Sequence, residues 1–314
     1  MTRAEITGDK RWSYESLLPY FKRTENYLGK GSARDRDKTL VNVFLEAAKE
    51  LDYPITDLNA PFDEGFNEHC FNSHLGQRVS SYHAFLRPIE QKRKDRLTIQ
   101  KFSTVTKVLI DNQNNAYGVQ YEHKGHLHKV RALREVILSA GAIGSPMLLL
   151  HSGIGPSEHL QQVGIKPRVN LAGVGKNLLD HVSALVGPFT ITNESFSQQH
   201  FTLVTLVGQQ RHSYLASGDG PLAQSGSMAS GFILSNKSFY TANQWPDIQL
   251  LLLGIPQDDE GLLTLSKAFN IDAACKAILW PNVNRDSFSI MTIVSRPSPG
   301  GKLSLASNNP FDPP

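Results

Sequence analysis

The stretch REVILSAGAIGSPMLLLHSGIGP, residues 134–156, decides the expected fold of this chain. Within it, Val136–Leu138 is a short apolar run of β-forming residues, which predicts a buried strand. The run ends in the small residues Ser139–Ala142, and small residues at a strand end let another backbone or a ligand approach closely. The segment therefore predicts a strand that leads into a tight, accessible turn.

A helix is expected directly after that turn. Ser145 suits the N-cap, and Pro146 suits the first helical position, where the missing N–H has no intrahelical partner. The apolar residues Met147–Leu150 fill the predicted helix, and Gly153 can end it. Strand, small-residue turn and helix in this order are the elements of a nucleotide-binding α/β layer, although the chain contains no G-x-G-x-x-G phosphate-binding fingerprint.

The same segment resembles the second signature of the glucose–methanol–choline (GMC) oxidoreductases. Residues 141–155, GAIGSPMLLLHSGIG, carry a small residue pair, Ser-Pro, an aliphatic pair and Ser-Gly-aliphatic-Gly at the spacing of that family. The similarity is strongest to the insect glucose-dehydrogenase-like branch, especially at DGPLAQSG (219–226) and WPDIQLLL (245–252). Other family-like segments occur in the family's order at residues 14–27, 57–59, 76–88, 104–111, 171–181 and 302–314.

The resemblance implies an α+β (mixed α/β) fold with two domains. Residues 1–182 are expected to form a partial FAD-binding layer with a β meander. Residues 183–314 are expected to form a substrate-binding domain on a largely antiparallel sheet. The residue pattern agrees, because residues 97–139 contain the strand-like runs LTIQKF, TVTKVLID, AYGVQY and HKV, separated by turn sequences.

Apolar residues at helical spacing predict a helix over Lys38–Asp52. They also predict a helix that starts near Tyr14, which Pro19 should split or kink. The resemblance implies two more helices, around Phe201–Tyr214 and Leu262–Ala277. The strand-like segments after His181 are too widely spaced in the sequence for simple hairpins, which is typical of a sheet with long connections.

The resemblance also assigns a cofactor contact to Val105, whose backbone matches the position that holds the adenine of FAD in this family. A backbone edge can read adenine because an N–H and a C=O supply a paired donor and acceptor. The alternative is an ordinary meander strand without a ligand.

Two further segments match cofactor contacts. Ser139, Ala140 and Gly141 match the strand end that lies against the FAD phosphates and ribose; the alternative is close helix–sheet packing, which needs small residues for the same steric reason, and both can hold. Asn177, in GVGKNLLDH (173–181), matches a segment near the flavin. The alternative there is a turn in which Asn177 caps local backbone.

By resemblance, the function is that of an FAD-dependent oxidoreductase, which oxidises the CH–OH group of an alcohol or a sugar by hydride transfer to flavin. The family's catalytic His and its partner follow the motif matched by NPFDPP (309–314). No catalytic residue is therefore expected in this chain, and His181 is not one. The alternative is a catalytically inactive truncated fragment or a non-enzymatic remnant of such an enzyme.

Composition argues against other classes. The 314 residues are 40% hydrophobic and 19% charged, as in ordinary globular proteins, and the net charge is +3. The basic run QKRKDR (91–96) contains Asp95 and is interpreted as a solvated turn, so no nucleic-acid partner is expected. No apolar run approaches the ~20 residues that span a bilayer. No signal peptide is recognisable, and the compartment and the oligomeric state stay open.

Two histidine-rich groups invite a metal interpretation, but neither has a second half at zinc spacing, so no metal is expected. They are His69, Cys70 and His74, and His123, His126 and His128. A small-molecule alcohol or sugar is the partner that the resemblance implies.

Overall fold

The computed structural model describes residues 3–27, 39–60, 63–191, 209–218, 223, 227–235, 245–254, 266–267, 270, 287–298 and 300–314. In this part of the chain short helices combine with five sheets, most of them antiparallel. The expected α+β class is therefore confirmed.

The helices of the described residues are short, and none combines the length and the apolarity that crossing a membrane requires. The α-helices are α1 (Arg3–Thr7), α2 (Tyr14–Thr24), α3 (Thr39–Glu50), α4 (Arg87–Glu90), α5 (Gly141–His151), α6 (Ser157–Gln162) and α7 (Gln209–Ser217). A 3₁₀ turn, Lys10–Trp12, precedes α2, and a π-helical turn, Tyr82–Leu86, precedes α4.

The strands range from two to eight residues. They are β1 (Gly65–Glu68), β2 (Ser73–His74), β3 (Gln77–Arg78), β4 (Ser103–Ile110), β5 (Ala116–His123), β6 (His126–Arg131), β7 (Ile154–Gly155), β8 (Val169–Asn170), β9 (Lys176–Leu178), β10 (Ser183–Thr190), β11 (Ser227–Ile233), β12 (Ile248–Leu253), β13 (Ser287–Val294) and β14 (Gly301–Lys302).

The largest sheet has the order β1-β11-β12-β13-β10, and all its neighbouring strands are antiparallel. Four of its strands come from the region after residue 182, where an antiparallel sheet is expected. The fifth, β1, comes from residues 65–68 and pairs with β11. The division at residues 182 and 183 stays a prediction, and the sheet contains chain from both sides of it.

The predicted meander is present as the sheet β4-β5-β6. Two expected strands are absent, however. The LTIQKF segment, 97–102, forms no strand, and Val136–Leu138 forms none either. A strand exists only where a neighbour accepts and donates its ladder hydrogen bonds, and no described strand pairs with residues 135–139. Ile137, at 76% exposure, confirms that the run is not buried in this structure.

Two separate cores hold these elements together. In the first, α3 packs on one face of the large sheet, where Leu40 and Val41 contact Ala229 and Leu252. In the second, Leu150 of α5 and Leu160 of α6 pack against Leu303 and Leu305. The C-terminal segment therefore belongs to the packing around α5, because leucines at 303 and 305 fill the space beneath that helix.

Among the described residues, the helix predictions have different outcomes, and the one over Lys38–Asp52 is confirmed. α3 falls within the expected Lys38–Asp52. α2, in contrast, continues through Pro19 to Thr24. The proline deprives only the Glu15 carbonyl of its helical donor, and α2 has no buried residue, so water can satisfy that oxygen. α7 occupies the end of the expected Phe201–Tyr214 helix. The rest of that helix and nearly all of Leu262–Ala277 lie outside the described residues.

Candidate cofactor site

The amino-terminal end of α5 lies earlier than the sequence predicts. The helix begins at Gly141 with Ala140 at the N-cap. Ser145 is not the N-cap; it lies inside the helix, and its Oγ accepts the N–H of Ala140 at 3.0 Å. Pro146 is likewise inside the helix rather than at its first position. The serine thus satisfies one amide at the helix entry from within, and the prediction placed the helix start about one turn too late.

Gly141 is positioned so that another molecule can approach the helix entry. Its φ is +82°, a conformation that L side chains rarely adopt, and apart from its chain neighbours and its own helix backbone no atom lies within 4 Å of where its Cβ would stand. Ser139, Ala140 and Gly141 are all exposed. The first N–H groups of an α-helix have no intrahelical partner and favour negative charge. The three residues therefore form an open turn at the positive end of α5.

A cavity of about 370 Å³ lies beside this turn. Ala142 and Pro146 of α5 form one side of it, and the segment Gly175–Leu179 forms the other, with Leu303 at its edge. Its volume is in the range of small-molecule pockets. The cavity therefore lies between the start of α5, directly after the turn Ser139–Gly141, and the segment that contains Asn177, more than thirty positions further along the chain.

The wall opposite α5 has a fixed backbone. Gly175 has a φ of +82°, and a Cβ there would stand 2.4 Å from the carbonyl oxygen of Leu303. Asn177 has a φ of +58°, a left-handed conformation that asparagine tolerates better than most residues. β9 pairs with β14, so this loop is held against the C-terminal segment. Asn177 is exposed and lines the cavity, and its contact with a cofactor stays a prediction.

Val105 lies on β4, which is an edge strand of the meander. The register between β4 and β5 slips by one residue between Val105 and Lys107, so Thr106 is the extra residue of a β-bulge. Thr106 is buried, and its Oγ1 lies 3.4 Å from the Gln120 carbonyl oxygen to which it donates. The bulge therefore lies immediately beside the residue that the sequence assigned to adenine.

The bulge decides where the Val105 backbone points. The Val108 N–H donates to Ser152 Oγ at 2.8 Å, so it points away from β5. In an antiparallel ladder successive residues turn their N–H and C=O alternately toward and away from the partner strand. Without the bulge, the N–H and C=O of Thr106 would point away from β5 and those of Val105 would point toward it. The extra residue shifts this alternation by one, so the N–H and C=O of Val105 point away from β5 instead.

These segments are connected but do not all line one cavity. α5 packs against β4, and Ser152, at the end of α5, bonds to the β4 backbone. Of the residues that the resemblance assigns to the cofactor, only Asn177 lines the cavity; Val105, Ser139, Ala140 and Gly141 do not. The structure places Asn177 across the cavity from α5, and it places Val105 on the strand against which the same helix packs.

Lys176 and Ser152 were missed in the sequence, whereas Gly175 belongs to the segment 173–181 that the resemblance places near the flavin. Lys176 and Gly175 line the cavity beside Asn177. Ser152 is 1% exposed and joins α5 to β4. The GKN order around Lys176 was available as a signal, since a lysine after a glycine turn suits an anionic ligand. Ser152 gave no signal of its own role, because its partner Val108 is 44 positions away.

His151 is a buried polar group next to this junction. It is 8% exposed, and its Nε2 has no hydrogen-bond partner. Burial, with a smaller contribution from the positive charge of Lys107, lowers the pKa of His151 from its ordinary value of 6.5. The imidazole is therefore favoured in its neutral form in the folded protein.

The two histidine-rich segments are used otherwise. His69 Nδ1 lies 3.0 Å from Ser227 Oγ, and burial lowers the pKa of His69 below 6.5. His123 Nδ1 lies 3.0 Å from Ser103 Oγ. Within the described part of the chain no group of three or more His, Cys, Asp or Glu residues is arranged to hold a metal ion.

Two solved oxidase structures share this fold. A formate oxidase superposes with a TM-score of 0.73 at 20% identity, over 98% of this chain and 57% of that protein. Pyridoxine 4-oxidase from Mesorbium loti superposes with a TM-score of 0.67 at 23% identity, over 97% of this chain and 54% of that protein. At these low sequence identities, the similarity of the structures shows the fold alone.

Sequence relatives give the family. Glucose dehydrogenase [FAD, quinone] of Drosophila pseudoobscura pseudoobscura is 31% identical over 98% of this chain and 48% of its own length. Oxygen-dependent choline dehydrogenase of Staphylococcus saprophyticus is 41% identical over 58% of this chain and 35% of its own length. The GMC oxidoreductase family model matches residues 4–183, more than half of the chain. The chain belongs to the GMC oxidoreductase family. It spans about half the length of the Drosophila enzyme and a smaller share of the Staphylococcus enzyme.

Proposed function

We propose that this chain binds FAD and serves the oxidation of a CH–OH group in a small alcohol or sugar. Family membership supports the reaction class, and the names of the relatives, a glucose dehydrogenase and a choline dehydrogenase, support the substrate class. The observation that carries the proposal is the cavity between the entry of α5 and Gly175–Leu179. Bound FAD supplies hydride acceptance, which no protein side chain provides.

The residues around the cavity suit the dinucleotide. An anionic diphosphate is stabilised by the free amides and the positive end of a helix, and the open space at Gly141 lets a ligand reach them. Lys176 adds a positive charge at the cavity wall. Asn177 offers a side-chain donor and acceptor on the same wall. These groups bind and orient the cofactor; we assign no catalytic base among the described residues.

Val105 would hold the adenine through its backbone. Adenine presents one donor and one acceptor side by side, and an outward-facing N–H and C=O of one residue complement them. The bulge at Thr106 supplies that orientation on an edge strand. In this proposal the side chain at position 105 is unimportant and the backbone donor is essential.

The first experiment measures retained flavin. The purified 314-residue chain is mixed with excess FAD, desalted and scanned in the visible range, and flavin absorbance bands are expected to remain with the protein. A soluble, folded chain that comes through colourless would contradict the proposal and would support the non-enzymatic alternative.

A pair of variants at one position tests the adenine contact. Val105→Pro removes the N–H, and it should leave the β4–β5 ladder intact because that N–H faces outward. Val105→Ala keeps the N–H and is the matched control. FAD affinity is expected to fall about tenfold or more in the proline variant, the loss expected for a direct hydrogen bond. Equal affinities in the two variants would show that the backbone of Val105 is not used.

A further inference from the structure

Two elements carry the proposed FAD contacts, β4 with Val105 and α5 with its open entry, and they must keep a fixed relation to hold one molecule. Ser152 lies where they meet. It follows α5 directly, and its Oγ donates to the Leu148 carbonyl oxygen of the last helical turn at 2.5 Å. The same Oγ accepts the N–H of Val108 at 2.8 Å. One hydroxyl thus joins the end of the helix to the edge of the strand.

The bond is inaccessible to water. Ser152 is 1% exposed and Val108 is 5% exposed. A buried N–H that loses its acceptor pays its desolvation penalty in full, so the edge of β4 has a strong preference for the position in which Val108 meets Ser152. Because Val108 lies on the same edge as Val105, with only the bulge residue and Lys107 between them, this bond also sets the position of the Val105 backbone.

The edge of β4 therefore has two parts with different roles: Val108 is buried and Val105 is half-buried. Val108 N–H is occupied by Ser152, whereas the outward groups of Val105 stay free of the helix end. Thr106 stabilises the bulge between Val105 and Val108. Its hydroxyl donates to the Gln120 carbonyl oxygen and accepts from Gln120 Nε2 at 3.3 Å. Ser152 acts on one end of this arrangement and the adenine contact lies at the other.

We propose that Ser152 is a positioning residue for the cofactor: its hydroxyl holds the edge of β4 against α5, so that the Val105 backbone and the entry of α5 can contact one FAD molecule together. The proposal rests on the proposed function, since it concerns the same site. It assigns Ser152 no contact with the cofactor and no part in proton transfer.

A double-mutant cycle tests this role. FAD dissociation constants are measured by flavin fluorescence for the wild-type chain, Ser152→Ala, Val105→Pro and the double variant. Ser152→Ala is expected to weaken FAD binding by up to about tenfold, and by no more than Val105→Pro does, because Ser152 acts on FAD only through the position of Val105. The double variant is expected to be within about twofold of Val105→Pro, because residues that act through one contact are not additive. Additive losses would overturn the proposal, since a general loss of stability predicts them.

Ser230→Ala is the matched control. Ser230 is also 1% exposed, and its Oγ donates to the Leu250 carbonyl oxygen at 3.1 Å in the large sheet. The Ser230→Ala variant is expected to bind FAD as tightly as the wild type does. A loss of FAD affinity equal to that of Ser152→Ala would overturn the proposal. Should Ser152→Ala fail to fold, Ser152→Cys, whose side chain is slightly larger and whose sulfur is a weaker acceptor, enters the cycle in its place.

A measurement without flavin separates this proposal from the proposed function. Amide exchange of the peptide that contains Ser103–Ile110 is expected to rise in Ser152→Ala and to stay unchanged in Ser230→Ala. Unchanged exchange would overturn the positional role even if FAD binds. If exchange rises in Ser152→Ala but the wild-type chain binds no FAD, the Ser152–Val108 bond is confirmed as structural. The cofactor site, and with it the positioning role, is then refuted.

Discussion

Gly175 and Leu303 are in contact through their backbones: the Leu303 N–H donates to the Gly175 carbonyl oxygen at 2.7 Å, and a Cβ on Gly175 would stand 2.4 Å from the Leu303 oxygen. The wall of the cavity is thereby fixed to the segment whose leucines form the core beneath α5. The shape of the candidate site depends on this contact as much as on the residues that line it.

Gly175→Ala is expected to destabilise the protein. The substitution imposes a side chain at a φ of +82° and against a backbone oxygen that cannot move aside, so a loss of at least about 1–3 kcal/mol in the free energy of unfolding is expected. Gly173→Ala is the control, because nothing lies within 4 Å of its Cβ position. Urea unfolding followed by circular dichroism measures both. A Gly175→Ala variant as stable as Gly173→Ala would contradict the close contact.

Lys176→Gln is expected to weaken FAD binding and to reduce its salt dependence. The lysine lines the cavity beside Asn177, and one exposed charge facing a diphosphate contributes a screened, salt-sensitive attraction. The affinity should fall a few-fold at low salt, and the two proteins should converge near 1 M salt, where the screening length is about 3 Å. Lys129→Gln, on the exposed strand β6, is the control. An unchanged salt slope in Lys176→Gln would remove this lysine from the site.

Stability is expected to fall as the pH decreases below about 6.5, the ordinary pKa of histidine. The folded protein lowers the pKa of His151, so between that lowered value and 6.5 the unfolded chain binds more protons than the folded one. The stabilisation is therefore fully present above pH 6.5 and is lost as the pH falls toward the folded-state pKa. His69 contributes in the same direction.

His151→Gln tests this pH dependence. Unfolding free energies between pH 5 and 8 should show a shallower slope in this variant than in the wild type, because one titrating group is removed. If His151→Gln leaves the slope unaltered, then burial does not lower the pKa of His151 in solution, and this prediction is wrong.

Asp247→Ala is expected to destabilise the large sheet. Asp247 is 8% exposed, and its carboxylate accepts the N–H and the hydroxyl of Ser235, both at 2.7 Å. Removing it leaves a partly buried N–H without its acceptor, at a cost of about 1–3 kcal/mol. Asp180→Ala, whose carboxylate bonds only to the next residue's amide among the described contacts, should change stability by less than about 0.5 kcal/mol. Thermal unfolding of the two variants decides between these outcomes.

Local patterns were sufficient for several elements. The spacing of Leu40, Phe44 and Ala48 predicts α3, and Gly153 and Gly164 end their helices with positive φ, as expected of glycine. The three strands of the meander follow from alternation and turn residues. The prediction of a strand at Val136–Leu138 was wrong. An apolar run gives a preference for the strand conformation, whereas a strand also needs a partner strand from elsewhere in the chain.

The candidate site was predictable only in part. Small residues at 139–141 and the resemblance around Val105 and Asn177 indicated which segments to consider, and the roles of these residues stay predictions. The contribution of Ser152 was not predictable, since its partner is distant in sequence. The outward turn of Val105 was also not predictable, because a bulge arises from how two strands match in register rather than from the strand's own composition.

The sequence by itself determined the family, the mixed α and β character and the small-residue turn before α5, because these depend on residue types and short spacings. Only the tertiary structure decided that Gly175–Leu179 closes a cavity against α5, that Leu303 and Leu305 lie beneath it, and that β4 presents Val105 at its edge. These features depend on contacts between residues far apart in the chain, and such contacts form only when packing and buried hydrogen bonds are satisfied together.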